Sequence, residues 1–262
     1  GHSRHHVRTD VSSNINSTEF AIGDNEKNIR LFIWKYFQDE FEIYLNTPSG
    51  KRINISNDVT VSSQRENIES VLAMPTPYTS KQLVEVSIRP GNSLDYVISG
   101  IWSIEFAVTG TIKCGIVDMW LPTIEAIGLS TGFLRPSPDT TVTIPATARK
   151  VLSVGAFNQD AGSMAPFSGR GYTADGRLVP LIVAYGVDVT AAGYGGGYVR
   201  KTGTSFAAPK ISGYAACIME WGIVRRNDEN MYGEKLIAYM TRYAVGIEGE
   251  EMPGIRQGWG LI

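Results

Sequence analysis

Through residues 28–118 apolar and polar positions alternate with a period of two. Trp102, Ile104, Phe106 and Val108 share one face of a strand and Ser103, Glu105 and Ala107 the other, so one row is buried and one is wetter. The same alternation predicts strands at 30–37, 41–46, 82–89, 96–99 and 112–119. Turn chemistry bounds them at Thr47-Pro48-Ser49-Gly50, Arg89-Pro90-Gly91-Asn92 and Thr109-Gly110, where Gly, Pro, Ser and Asn suit reversed backbone. Helical spacing is confined here to one turn near 68–72. Many short strands separated by turns predict a β-sandwich or jelly roll.

Beyond residue 138 the texture changes. Residues 150–157 and 178–184 are short β-branched runs, and 192–197 is a Gly-rich loop. Residues 205–221 carry apolar side chains around nearly the whole circumference, which predicts a buried helix. A second, amphipathic helix is expected at 234–243, with Leu236, Ile237 and Met240 on one side. Strands alternating with helices indicate part of an α/β layer. Only two or three strands of parallel type are counted there, too few for an independently stable doubly wound sheet.

Composition narrows the function. With 43% hydrophobic residues the 262-residue chain can bury a core, and 24 basic against 26 acidic side chains give a net charge of −2. That balance offers no basic stripe for a phosphate backbone, and no run approaches the ~18 apolar residues of a membrane helix. Neither nucleic acid nor a bilayer is an expected partner. Cys114 and Cys217 each fall in an apolar stretch and are expected as buried free thiols. His2, His5 and His6 have no acidic or Cys neighbours in sequence, so they are expected in a tag remnant or surface loop rather than a metal site or a catalytic base. The start has no initiator Met and no apolar signal segment; it reads as a chain beginning inside something longer, or after a tag.

The informative stretch is Lys201-Thr202-Gly203-Thr204-Ser205-Phe206-Ala207-Ala208-Pro209. Pro209 cannot donate the backbone bond to residue 205, so it is expected in the first turn of a helix, with Ser205 at the helix N-terminus. There the dipole and the free N–H groups stabilise an oxyanion formed when a serine oxygen attacks a carbonyl. Gly203 lets a substrate backbone approach, and Ala207 and Ala208 allow tight packing. On helix logic alone, an N-capping Ser/Thr pair accounts for the same residues.

The stretch Gly203-Thr204-Ser205-x-Ala207-x-Pro209, followed by Ser212-Gly213, resembles the serine signature of the subtilisin-like proteases. Pro145-Ala146-Thr147-Ala148, Val151-Leu152-Ser153-Val154-Gly155-Ala156 and Phe167-Ser168-Gly169-Arg170-Gly171 are similar, in order and spacing, to the segments preceding that serine. Ile33-Trp34, Gly100-Ile101-Trp102, Trp120-Leu121-Pro122, Thr143-Ile144 and Glu220-Trp221-Gly222-Ile223-Val224 resemble a narrower group, the clostridial spore-germination Csp proteases.

This resemblance implies an α/β subtilisin-like fold, present as the C-terminal half of its parallel-sheet domain, with an inserted all-β jelly-roll or sandwich domain. Residues 1–18 would follow the oxyanion asparagine, 19–138 would be the insert, and 139–262 the C-terminal half of the catalytic domain. Ser205 matches the nucleophile, its own N–H being one oxyanion donor. Gly203, Thr204, Thr143, Ile144 and Pro145 match substrate-binding positions, and 193–197 a further cleft wall. The Asp and His motifs and the Ala-Gly-Asn motif do not occur in this sequence. The implied partners are an N-terminal protease fragment carrying Asp and His, a cleaved prodomain and a protein substrate. The implied activity is serine endopeptidase processing of the proform of a spore-cortex hydrolase during germination, in the cortex or coat region of a bacterial spore, with no cofactor and no metal.

Three departures from the family pattern leave room for a catalytically degenerate pseudoprotease acting as a scaffold or sensor in germination. Val179-Pro180-Leu181-Ile182-Val183-Ala184-Tyr185-Gly186 stands where Lys-Pro-Asp-x-x-Ala-Pro-Gly is expected, Phe206 replaces the commoner Met, and Lys210 follows Pro209 instead of His. A third class, a carbohydrate- or protein-binding module on the β-sandwich, would use Tyr36, Tyr44 or Trp102 as stacking platforms.

Overall fold

The computed structural model describes residues 4–12, 17–123 and 126–262, so His2 lies outside the described residues. The chain divides into two compact units, one over 3–137 and the other over 138–262 with the first two residues.

The first unit is all β. Its strands are β1 (His6–Asp10), β2 (Ser17–Ile22), β3 (Ile29–Tyr36), β4 (Phe41–Asn46), β5 (Arg52–Asn54), β6 (Val59–Ser62), β7 (Glu66–Ala73), β8 (Lys81–Pro90), β9 (Gly100–Val108), β10 (Ile116–Trp120) and β11 (Gly132–Phe133). They build a six-stranded sheet, β1-β10-β3-β8-β7-β6, and a five-stranded sheet, β11-β2-β9-β4-β5, with antiparallel pairing throughout. Alternation explains why they pack: Ile29, Leu31 and Ile33 of β3 and Ile43 and Leu45 of β4 are fully buried in one shared core with Trp102, Ile104 and Phe106. Fully burying each such side chain contributes about 1.5–3 kcal/mol.

Several expectations are corrected here. Residues 68–72 form no helical turn. They belong to β7, where Glu66, Ile68 and Ser70 point inward and every residue pairs with β8. The expected strand at 96–99 is a lead-in loop, tied by the Val97 N–H to the Glu26 carbonyl at 2.7 Å. The strand expected from 112 starts at 116, because the Asp39 carboxylate accepts the N–H groups of Lys113, Cys114 and Gly115 at 2.7–2.9 Å and takes them out of any ladder. Trp102 is fully buried and offers no platform. Tyr44 is half-buried with the Arg52 guanidinium 3.3 Å from its ring centre, and Tyr36 is half-buried with its ring against Phe37.

The start of the chain is also corrected. β1 pairs with β10 from His6↔Trp120 to Asp10↔Ile116, which places residues 6–10 in the six-stranded sheet. His5 and His6 are buried, not in a surface loop. The His6 ring stacks on Trp120, and its Nε2 lies 3.1 Å from Asp118 Oδ1. The buried Asp118 also accepts Arg8 Nε and Nη2 at 2.8 and 3.0 Å and Lys81 Nζ at 3.1 Å. Burial pushes the Asp118 carboxyl up, but His6, Arg8 and Lys81 more than reverse this and hold it well below the usual carboxylate range. Cys114 and Cys217 are both exposed, contrary to expectation. Cys114 sits on the Asp39-clamped loop.

The second unit contains β12 (Val154–Asn158), β13 (Ser163–Met164), β14 (Gly171–Tyr172), β15 (Leu178–Val179), β16 (Ile182–Tyr185), β17 (Val189–Ala192), β18 (Tyr198–Lys201), α1 (Thr204–Met219) and α2 (Gly233–Tyr243). The runs expected at 150–157 and 178–184 thus begin later or divide, since Pro180, having no N–H, stands between β15 and β16. β12 and β16 are parallel, from Val154↔Ile182 to Phe157↔Tyr185. Ala207 and Ile211 of α1 and Met240 of α2 pack over Ala156, Ile182 and Ala184 of this pair. Leu236 and Ile237 of α2 are half-buried, in keeping with its amphipathic pattern.

Candidate active site

β16 and the β17–β18 hairpin position Ser205. The hairpin pairs Val189↔Lys201 through Ala192↔Tyr198, and the glycines at its tip, 195–197, all take positive φ, as a turn this tight requires. The Gly203 N–H donates to the Gly186 carbonyl just past β16 at 2.8 Å, and the Asp188 N–H donates to Thr202 Oγ1 at 3.0 Å. Gly203 has φ 154° and ψ 159°, a conformation essentially reserved for glycine. The backbone then turns into α1 with Ser205 as its second residue.

The first turn of α1 carries no acidic side chain, so nothing there neutralises the positive end of the helix dipole. The Ser205 N–H is one of the first four amides, for which an α-helix provides no acceptor. Ser205 is exposed. A hydroxyl and a backbone N–H with no intrahelical acceptor therefore stand together at an exposed helix start. Pro209 lies inside α1, one turn later than expected. The missing N–H leaves the Ser205 carbonyl without its usual i+4 donor. Lys210 lies with its Nζ 5.1 Å from the centre of the Tyr185 ring.

The expected burial of the helix is overturned. Ala207 and Ile211 are buried and Ala215 and Ile218 half-buried, whereas Ala208, Pro209, Ser212, Gly213, Tyr214, Ala216 and Cys217 are exposed. The apolar circumference is present, but among the described residues the strands and α2 cover one stripe of it. A π-helical turn, Glu220–Val224, ends the helix.

Gly203 and Thr204 adjoin Ser205. Thr143, Ile144 and Pro145 are all exposed, on a loop outside any sheet with a cis Ile144–Pro145 bond. No histidine occurs in residues 138–262, so this stretch of the chain supplies no imidazole to Ser205. A serine hydroxyl at its ordinary pKa needs such a base to become a nucleophile. Among the described residues no group of three or more His, Cys, Asp or Glu is disposed to hold a metal, and no helix is long and apolar enough to cross a membrane. One side chain near the predicted residues gave no signal in the sequence: Arg177 reaches back 30 positions to the carbonyl of Thr147.

Residues 130–260 match the model of the subtilase family. C5a peptidase of Streptococcus pyogenes is 33% identical over 99 residues, which cover 38% of this chain and 8% of that protein. The structure of the Clostridium perfringens CspB protease is similar over 100% of this chain and 55% of its own length, with a TM-score of 0.89 and 32% identity. The chain thus spans about half of the CspB chain and under a tenth of the curated relative.

Proposed function

The chain belongs to the subtilase family, and from that premise we propose that it carries the nucleophile of a subtilisin-type serine endopeptidase. Ser205 Oγ attacks the scissile peptide carbonyl, and an imidazole from outside residues 138–262 takes its proton. A carboxylate orients that imidazole, and the Ser205 N–H together with an asparagine amide meets the oxyanion. The imidazole then returns the proton to the leaving amine, and water releases the acyl group. The observation that carries this reading is an exposed serine at a helix start that has no acidic residue in its first turn. Gly203, Thr204, Thr143, Ile144 and Pro145 are assigned to the substrate on their match to the family pattern.

The Asp and His are assigned to an N-terminal protease fragment that packs on α1. The exposed face of Ala208, Gly213, Ala216 and Cys217 supports this, because small apolar side chains permit close approach of another element. The β unit is assigned to the jelly-roll class. Its order, with β1, β10, β3 and β8 in one sheet and β2, β9, β4 and β5 in the other, supports two interleaved Greek keys. Likeness to the Csp proteases supports the remaining assignments: a cleaved prodomain as partner, the proform of a spore-cortex hydrolase as substrate, and a place in the spore cortex or coat.

The test uses the full-length polypeptide with every chain that copurifies. It is expected to cleave the purified proform of a cortex hydrolase at one site, and Ser205→Ala to lower the rate by roughly 10⁴-fold or more. Cleavage undiminished in Ser205→Ala overturns the assignment, and absence of cleavage by the wild type favours the scaffold role.

A further inference from the structure

The loop over 141–150 carries Thr143, Ile144 and Pro145 and belongs to no sheet. Ala146 and Ala148 wall a cavity of about 410 Å³ shared with Val151, Leu178 and Trp259, and exposed ion pairs join Arg149 to Asp175 at 3.6 Å and Lys150 to Glu234 at 3.5 Å. Hydrogen bonds fasten it at two points. At its start the Thr141 N–H donates to the Arg170 carbonyl at 3.0 Å, and the Arg170 N–H donates to Thr141 Oγ1 at 3.1 Å. At its far end Arg177 Nη2 donates to the Thr147 carbonyl at 2.7 Å and Nη1 to the Ala148 carbonyl at 3.2 Å. The Ala148 N–H closes a turn onto the Pro145 carbonyl at 2.9 Å, so these two carbonyls belong to the turn that fixes Pro145.

The guanidinium is itself held in place. Its Nε donates to Asp175 Oδ1 and Oδ2 at 3.1 and 2.9 Å, and Asp175 also accepts the Thr173 hydroxyl. The Arg177 N–H donates to Thr173 Oγ1 at 2.9 Å, and the Thr173 N–H donates to the Arg177 carbonyl at 2.9 Å. These bonds lock the turn joining β14 to β15, whose register is Gly171↔Val179 and Tyr172↔Leu178. The hydrogen bonds from Arg177 and Thr173 hold the Asp175 carboxyl down at about 2, so the bracket stays charged at neutral pH. Only a planar fork can serve two successive carbonyls while a third nitrogen grips a carboxylate; an ammonium is a point donor.

We infer that Arg177 is a positioning residue for proteolysis: through the Thr147 and Ala148 carbonyls it holds Thr143, Ile144 and Pro145 in the geometry that meets a peptide substrate. This rests on the endopeptidase reading of Ser205. Arg177 acts through the loop, not on the reacting atoms, and it is partly exposed, so its ion pair adds little to global stability. What it contributes is order in one segment.

The full-length polypeptide with its copurifying chains, as wild type, Arg177→Ala and Arg177→Lys, tests this. A fluorophosphonate reads the nucleophile alone, peptide hydrolysis reads substrate binding as well, and amide exchange reads the loop. Arg177→Ala is expected to label at Ser205 within about twofold of the wild-type rate, to raise KM by roughly tenfold with kcat nearly unchanged, and to speed exchange over 141–150 and in the 173–177 turn but not in the rest of the unit. Arg177→Lys should recover only part of the KM. Labelling retained with KM or loop exchange unmoved in Arg177→Ala overturns this inference alone, as does labelling that falls in step with peptide hydrolysis. A wild-type protein whose Ser205 takes no label overturns the endopeptidase reading, and the inference with it.

Discussion

The Gly203 amide donates a 2.8 Å hydrogen bond to the Gly186 carbonyl, tying the turn before Ser205 to the end of a parallel strand. Both glycines are required by geometry. A Cβ on Gly186 would lie 2.7 Å from the Ala156 Cβ and 3.1 Å from the Gly203 carbonyl oxygen. On Gly203 a Cβ would meet only ordinary contact with the Phe206 ring at 3.6 Å, so the constraint there is the backbone conformation. Gly203→Ala is therefore expected to cost about 1–3 kcal/mol of strain and to slow fluorophosphonate labelling of Ser205. Chemical denaturation and labelling rates check the two effects, and an unstrained, fully reactive variant would contradict them.

The two faces of α1 make opposite predictions. Ile211 is 3% exposed, and Ile211→Ala is expected to destabilise the unit over 138–262 by about 2–5 kcal/mol, read as a lowered denaturation midpoint. Gly213 has nothing within 4 Å of an added Cβ. Gly213→Arg should leave that midpoint unchanged or slightly raised while blocking whatever packs on the exposed face. Loss of the copurifying or preceding protease segment from its close association, with loss of Ser205 labelling, is the expected result; full labelling would contradict a covering segment.

Asp118 contributes to the acid response of the β unit. Its carboxyl lies below the unfolded value of 3.8, so the native state favours the ionised form. The stabilisation is complete above that value and is lost as pH falls beneath it. Asp118→Asn would leave Arg8 and Lys81 facing a neutral group and is expected to cost about 2–4 kcal/mol at neutral pH. Between about pH 5 and pH 2 wild-type stability should fall more steeply than that of the variant. Unfolding curves across that range check the slopes, and parallel slopes would contradict the assignment.

What the sequence revealed and what it hid follow from the range of the interactions. Phe41–Asn46 was legible to the residue because its alternation is local and both its ends are turns. Residues 66–73 were not, since Asn-Ile-Glu-Ser-Val-Leu-Ala also suits a helix and only pairing with β8 selects the strand. His6 looked unpartnered because its carboxylate is 112 positions away and reaches it through cross-strand register. The place of Ser205 at a helix start was legible because Gly203 states its backbone demand two residues earlier, whereas Pro209 stands a turn deeper in the helix than its missing N–H suggests. Arg177 was invisible for the opposite reason: an arginine in a polar turn gives no sign of which carbonyls it serves. The exposure of α1 was misjudged because an apolar circumference records what a helix can be covered by, not what covers it among these residues.

Fluorophosphonate labelling of the full-length polypeptide, with every chain that copurifies, followed by peptide mapping, tests the central claim most directly. The label is expected on Ser205 and absent from Ser205→Ala. A properly folded protein in which Ser205 stays unlabelled would contradict its assignment as a catalytic nucleophile.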